Sequence, residues 1–392
     1  MKDVYIVSAV RSAITSFGGS FKSMMPSGLA ADLIAAAVER AGIEKGQVEE
    51  VILGHCIQRT DEPNTARTAL LKAEFPDHVP GMTIQRQCAS GLQAIISGLQ
   101  QIQTGNADIV VAGGVEVMSS SPYILKENRW GARLQHKTIY DSVWEVLTDP
   151  LQGILMGVTA ENLADKYNIS REEQDELAVE SHRRAMAAIE SGLFEREIVP
   201  VNVPLGRGKT QTVTRDEHAR ADVTLEGMAK LKPAFREDGT VTAGTASGLN
   251  DGAAALVLMS EEKVRELGVK PLAKIVASAV AAVEPELMGY GPVPAVNKLL
   301  AKTGLQKDDI QLWEINEAFA AQYIAVEKLL DLDRNIVNVN GSGLSLGHPV
   351  GATGARITVS LVHELHHRGL DRGIATLCVG GGMGVALLVE RV

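Results

Sequence analysis

Apolar positions along this chain fall into two rhythms. Short continuous runs such as "VYIVSAV" (4–10), "ADIVVAGG" (107–114), "ALVLMS" (255–260) and "VALLVE" (385–390) read as buried strands. Between them lie helical stripes. Leu92, Ile95, Ile96, Leu99 and Ile102 recur at three- and four-residue spacing, which predicts a helix with one wide apolar face, closed by Gly105. Ser170 and Glu173 form a capping-box signature ahead of "REEQDELAVESHRRAMAAIE", and Gly192 ends that helix. Strands alternating with helices predict an α/β fold, its parallel or mixed sheets covered by helices.

The pattern also repeats. Residues 41–54, "AGIEKGQVEEVILG", match residues 303–316, "TGLQKDDIQLWEIN", at an offset of 262. Both read as a helix end, a glycine C-cap, a polar turn and a strand starting at Val48 or Ile310. "ADIVVAGG" pairs with "IATLCVGG" (374–381) at the similar offset of 267. In the second copy the next strand, "VALLVE", follows at once through "GMG". In the first copy its counterpart, "ALVLMS", arrives about 140 residues later, after "LNDGAA". An insertion therefore separates the last two strands of the first half. The expected organisation is one half from 1–119 plus 247–270, an inserted domain at 120–246, and a second half at 271–392. Two related halves packed together would give a layered α/β/α/β/α sandwich.

Composition narrows the function. A chain of 392 residues is 45% hydrophobic but only 4% aromatic, so its core must be Ala, Val, Ile and Leu. The formal charge is −10 with no Lys/Arg block, which argues against a nucleic-acid partner. No apolar run approaches the roughly 18 residues of a membrane span, and the opening "MKDVYIVSAVR" reads as a strand without a leader. Three scattered cysteines, Cys56, Cys88 and Cys378, argue against a disulfide framework, so a cytoplasmic location is expected. Cys56 reads as a structural thiol.

Four places carry candidate chemistry. Cys88 stands at or just before the first turn of the helix at 92–102, where unpaired N–H groups and the positive dipole end favour a thiolate. That effect is worth only about 0.3–1 kcal/mol, so a base is also needed. Taken by itself, Cys88 reads first as a small buried residue at a tight strand–helix junction. "NVNGSGLSLGHPVGATGAR" (338–356) is a glycine-dense loop holding His348, which Pro349 keeps extended. "LCVGGGMG" (377–384) ends a strand with Cys378, and its glycines can aim amides at a developing oxyanion. Asn316, in "WEINEAFAA" (313–321), sits at a strand end, where it also fits a helix N-cap. A satisfied loop histidine and a tight sheet-edge turn are the alternatives for His348 and Cys378.

Two further motifs are set aside. "GSGLSLG" has GxGxx[GA] fragments, but no acidic residue follows about 20 positions on, as a dinucleotide site requires. "HELHH" (363–367) satisfies HExxH, but Arg368 and Gly369 follow directly and no third ligand is evident. These residues read as a helix C-terminus, and no metal is expected.

Taken together, these blocks resemble the thiolase family of acyl-CoA:acetyl-CoA C-acyltransferases. The resemblance runs from "VYIVSAVRSAITSFGGSF" through "QCASGL", "VAGGVEVMS", "GTASGLNDGAAALVLMSEE", "INEAFA" and "NGSGLSLGHPVGATGAR" to "CVGGGMG", and covers essentially the whole chain. It implies the duplicated sandwich with a loop domain inserted in the first half, serving CoA binding and oligomerisation. It also implies reversible Claisen condensation and thiolysis of 3-ketoacyl-CoA. By position, Cys88 is implied as the nucleophile and His348 as its base and a donor to the thioester oxygen. Cys378 is implied as the second acid/base. Asn316 would hold a water that shares an oxyanion hole with His348, and the amides of Cys88 and Gly380 would form the other. Leu147, Met156, Arg220, Ser247, Met288, Ala318 and Phe319 are implied around CoA and the acyl group. The substrates would be acetyl-CoA, acyl-CoA and CoA, with no other cofactor, in a homodimer or homotetramer. Leu155 and Gly227 depart from residues common in small-substrate members, leaving acyl length open. The same fold also serves decarboxylating ketoacyl synthases, but Cys378 in "CVGGGMG" favours thiolase. A catalytically inactive acyl-CoA-binding protein is the remaining alternative.

Overall fold

The computed structural model describes residues 2–392. Its principal strands are β1 (Val4–Arg11), β2 (Glu50–Gly54), β3 (Gly81–Ile84), β4 (Ile109–Val117), β5 (Asn250–Ser260), β6 (Ala273–Ala282), β7 (Leu312–Ile315), β8 (Arg372–Val379) and β9 (Met383–Arg391). Their spatial order is β7-β8-β9-β6-β1-β5-β4-β2-β3. The order holds the repeat in plain view. In the first half, β1 pairs antiparallel with β5, β5 antiparallel with β4, and β4, β2 and β3 run parallel. In the second half, β6, β9, β8 and β7 repeat those senses, and a parallel bridge from Trp313 to Val337 stands where β3 would be.

Expected strand starts at Val48 and Ile310 shift by two residues. In both copies the polar turn is a single 3₁₀ turn, Lys45–Gln47 and Lys307–Asp309, before β2 and β7 begin. The glycine C-caps hold, with Gly42 at φ 68° and Gly304 at φ 74°. One difference concerns closure. The two halves do not remain separate sheets; they meet edge to edge at two residue pairs, Tyr5 with Lys274 and Ile6 with Ala273.

Helices complete the layers. α1 (Pro26–Ala41) covers the outer face of the first half, with Leu29, Leu33, Ile34 and Val38 buried. α2 (Ser90–Gln103) carries the expected apolar stripe. Later come α3 (Met156–Tyr167), α4 (Arg171–Glu190), α5 (Pro292–Thr303), α6 (Ala320–Leu330) and α7 (Val350–Arg368). α2 and α7 pack against each other between the two half-sheets, and their side chains share one core with strands of both. α5 and α6 cover the outer face of the second half. Five layers result, as the repeat predicts. Ser170 caps α4 with its reciprocal partner Glu173, also as predicted.

The residues between β4 and β5 include α3, α4 and a hairpin of Val201–Gly206 with Lys209–Val213. α3 and α4 pack on α6 of the opposite half, so a segment emitted by one copy roofs the other. The equivalent point in the second copy is a turn of three glycines, Gly380 to Gly382, the last two at φ 80°.

The half-sheet and central helices meet at backbone distance. A Cβ on Gly54 would overlap the Ser90 backbone, whereas one on Gly28, in α1, would meet nothing within 4 Å. Gly54→Ala should therefore lower unfolding stability by about 1–3 kcal/mol. Gly28→Ala should raise it by about 0.5–1 kcal/mol. Urea titration at fixed protein concentration measures both; equal effects would contradict this packing.

Candidate active site

The C-terminal ends of β7 and β8, the first turn of α2 and the loop before α7 converge. Cys88 lies two residues before α2, half-buried. Gly380 lies beside it: a Cβ there would sit 3.7 Å from Cγ of the neighbouring Gln87. That contact joins the first half to the β8–β9 turn of the second. Cys378, at the end of β8, is fully buried.

His348 precedes the start of α7 and is 5% exposed. Its placement comes from both halves. The His348 amide donates to Asn250 Oδ1 at 3.0 Å, and Asn250 Nδ2 donates to the Thr15 carbonyl, both in the first half. Its Nδ1 lies 2.6 Å from Thr353 Oγ1, and that hydroxyl donates to the Pro349 carbonyl at 3.0 Å. With its proton so used, Thr353 accepts from Nδ1–H, which leaves the lone pair on Nε2. Nε2 faces Asn316 Nδ2 at 3.4 Å. Asn316 is fully buried, and its Oδ1 has no protein hydrogen-bond partner. It is not the helix N-cap its sequence position also allowed: α6 starts at Ala320, capped by Phe319.

Electrostatics bear on the expected need for a base at Cys88. Burial pushes its thiol up to about 11; the amides of Gly380 and Cys88 pull the other way but do not prevail. Burial likewise raises the Cys378 thiol. His348 is lowered to about 3, first by burial and then by the nearby Arg356 guanidinium. The resting groups are thus two thiols and a neutral imidazole. A helix terminus worth under about 1 kcal/mol does not offset desolvation of a sulfur anion.

The residues implied around the substrate fall into neighbouring groups. Met156, Met288, Ala318 and Phe319 share one apolar cluster with Cys378, and Phe235 packs edge-on against Phe319 at 5.9 Å between ring centroids. The Ser247 amide donates to the Ala318 carbonyl at 2.9 Å, and the Met156 amide to the Leu147 carbonyl at 2.9 Å. Arg220 is exposed, its amide donating to His182 Nδ1 at 3.1 Å. A cavity of about 610 Å³ opens at Gln87, Met156, Gly380 and Gly381. It lies beside Cys88 and has room for a small acyl-thioester arm.

The HExxH segment lies apart. His363 Nε2 meets the Ala9 carbonyl at 2.9 Å, and α7 ends at Gly369 with φ 65°. Among the described residues no group of three or more His, Cys, Asp or Glu is placed to hold a metal ion, and no helix is long and apolar enough to cross a membrane. Cys56 is buried, its thiol donating to Gln87 Oε1 at 3.4 Å. Sequence reasoning passed over Asn250, Thr353 and Glu116. Asn250 and Thr353 carry no local signal, while Glu116 announces itself as one carboxylate in an otherwise apolar strand.

Comparison with known proteins identifies the family. The profile of the thiolase N-terminal domain matches residues 4–262, and that of the thiolase C-terminal domain matches residues 269–391. An acetyl-CoA acetyltransferase of Escherichia coli K12 is 51% identical over 393 residues, covering 100% of both chains. The crystal structure of the Bacillus anthracis acetyl-CoA acetyltransferase superposes with a TM-score of 0.99 at 62% identity, over 100% of this chain and 99% of that one. Human mitochondrial 3-ketoacyl-CoA thiolase in complex with CoA gives a TM-score of 0.96 at 42% identity, over 100% and 98% of the two chains.

A neutral resting thiol has a direct signature. Iodoacetamide alkylation of Cys88, mapped by mass spectrometry, should accelerate about tenfold per pH unit from about pH 7 to 9, because the thiolate fraction is small below a raised pKa. A rate already level at neutral pH would show a thiolate instead.

Proposed function

The chain belongs to the thiolase family and is an acyl-CoA:acetyl-CoA C-acyltransferase; from that premise we propose that its reaction runs through an acyl-enzyme on Cys88. The observation that carries the proposal is the cavity lined both by Gln87, next to Cys88, and by Gly380, two residues after Cys378. It sets the nucleophile against the turn that follows Cys378.

In thiolysis, Cys88 attacks the 3-keto carbon of a 3-ketoacyl-CoA as its proton passes to His348 Nε2. A neutral imidazole with Nδ1 committed to Thr353 is the form that accepts it. The new C–S bond forms and the C2–C3 bond breaks. The departing acetyl-CoA enolate takes a proton from the Cys378 thiol, which burial keeps protonated until needed. CoA then attacks the Cys88 thioester as its thiol proton passes to the Cys378 thiolate. The bond from the acyl carbon to Cys88 breaks, the Cys88 sulfur recovers its proton from His348, and the acyl group leaves on CoA. Condensation runs these steps backwards, with Cys378 removing the α-proton of acetyl-CoA. A thioester suits the intermediate because it remains reactive towards both CoA and a carbanion.

Two oxyanions develop. The amides of Cys88 and Gly380, both of which favour the anionic sulfur, serve the acyl oxygen; such donors typically contribute about 2.7–4 kcal/mol each. His348 with a water on Asn316 serves the enolate, a role supported by the 3.4 Å approach of Asn316 to His348 and by the open Oδ1. Leu147, Met156, Arg220, Ser247, Met288, Ala318 and Phe319 bind CoA and the acyl group, the insertion at 120–246 supplying the first three. CoA and acyl-CoA serve as substrates with no further cofactor. Exposed apolar residues on the insertion, Trp130 at 94% and Leu134 at 100%, support a homodimer or homotetramer. Three free cysteines support a cytoplasmic location.

Intact-mass measurement after acetyl-CoA treatment separates the two sulfurs. Cys88→Ser should give no acetyl adduct. Cys378→Ser should still acetylate while thiolysis of acetoacetyl-CoA falls about 10²–10⁴-fold, the contribution expected of one acid/base group. An adduct surviving in Cys88→Ser refutes the assignment. Binding of acetyl-CoA by the unaltered chain with no turnover would favour an inactive carrier.

A further inference from the structure

One carboxylate stands alone in the most apolar strand of the first half. β4 reads IVVAGGVEV, and all nine residues are buried, Glu116 included. A carboxyl group so placed is costly to bury without donors around it. Glu116 has four. Oε2 accepts from the Cys56 amide at 3.0 Å and the Gly351 amide at 2.9 Å. Oε1 accepts from the Ile57 amide at 3.3 Å and faces His55 Nε2 at 3.2 Å. The other nitrogen of His55 lies 2.8 Å from Thr65 Oγ1, so the ring is held at both ends.

These donors lead to both sides of the catalytic pair. Gly351 is the second residue of α7, three beyond His348, and the N-cap Pro349 has no side chain to offer the helix. Glu116 therefore caps α7 from a different half of the molecule, at the helix end where a carboxylate is favoured. A Cβ at 351 would lie 2.6 Å from the Val115 carbonyl oxygen and 2.7 Å from Oε2, so strand and carboxylate together leave room only for glycine. On the other side, Cys56 donates its buried thiol to Gln87, and Gln87 immediately precedes Cys88 with a positive φ of 46°. Glu116 itself does not line the cavity beside Cys88.

We propose that Glu116 is a positioning residue that sets the separation of Cys88 and His348, capping the helix behind the base and anchoring the loop behind the nucleophile from one fixed point on the sheet. The inference rests on the reading of Cys88 and His348 as nucleophile and base. It predicts a defect confined to the step that needs both groups together.

Glu116→Gln keeps the volume while removing the charge and one acceptor. Single-turnover acetylation of Cys88 by acetyl-CoA reads the pair; iodoacetamide alkylation of Cys88 reads the thiol alone. Glu116 is one of the influences that raise the Cys88 thiol, so its neutralisation should leave alkylation unchanged or faster. Acetylation should slow about 10–100-fold, with the half-saturating acetyl-CoA concentration within about twofold of the unaltered protein. Acetylation at the unaltered rate, or acetylation and alkylation slowed by one common factor, overturns the proposal. If Glu116→Gln fails to fold, Glu116→Asp, which keeps the charge but loses reach, is judged on the same two rates. Failure of the unaltered protein to acetylate at Cys88 would instead remove the nucleophile assignment beneath it.

Discussion

The structure depends on two central helices touching backbone to backbone at their first turns. A Cβ on Gly91 of α2 would lie 2.9 Å from the Ala355 amide of α7, and one on Gly354 would lie 2.5 Å from the Leu92 amide. No side chain fits between them, so the approach is set by main chain and is stiff. Cys88 precedes one of these turns and His348 the other, and each belongs to a different copy of the repeat. The duplication thus supplies the scaffold, and the helix crossing brings its two halves to one point. Close packing of this kind tolerates little change, because added volume must displace backbone rather than a rotamer.

The electrostatic character of the site follows from the same enclosure. Burial holds both thiols protonated and the imidazole neutral. On the proposed mechanism, charge separation is deferred until an acyl-thioester arrives, when the amides of Cys88 and Gly380 would stabilise the developing oxyanion. A resting thiolate would instead be open to oxidation and alkylation, which follow thiolate character. The buried site gives up intrinsic nucleophilicity and gains selectivity for the substrate that completes it.

Much of this was legible in the sequence, for identifiable reasons. The offset of 262 located β2 and β7 because copies of one unit keep their order of helix end, glycine cap, turn and strand. Their starts moved by two residues because a polar turn such as "EKGQ" closes as a 3₁₀ turn before extending. The stripe at Leu92, Ile95, Ile96 and Leu99 gave α2 directly. What stayed hidden depends on contacts across the chain. Nothing near Cys88 says that desolvation will exceed a helix dipole, since that requires knowing what covers the sulfur. Nothing near His348 points to Asn250 or Thr353. Glu116 was visible as an anomaly, but its meaning needed Gly351, 235 residues away.

The first strand has an unusual position in time. β1 pairs with β5 at Asn250–Ser260 and with β6 at Ala273, so neither neighbour exists until some 250 residues later in the chain. At about 5–20 residues per second, the ribosome needs roughly 12–50 s to deliver them. Through that interval a strand whose residues are almost all destined for the interior has no edge to join, and pairings of such long range close slowly. The pairings of β1 therefore wait on the synthesis of β5 and β6, so the strand that joins the two half-sheets is completed late.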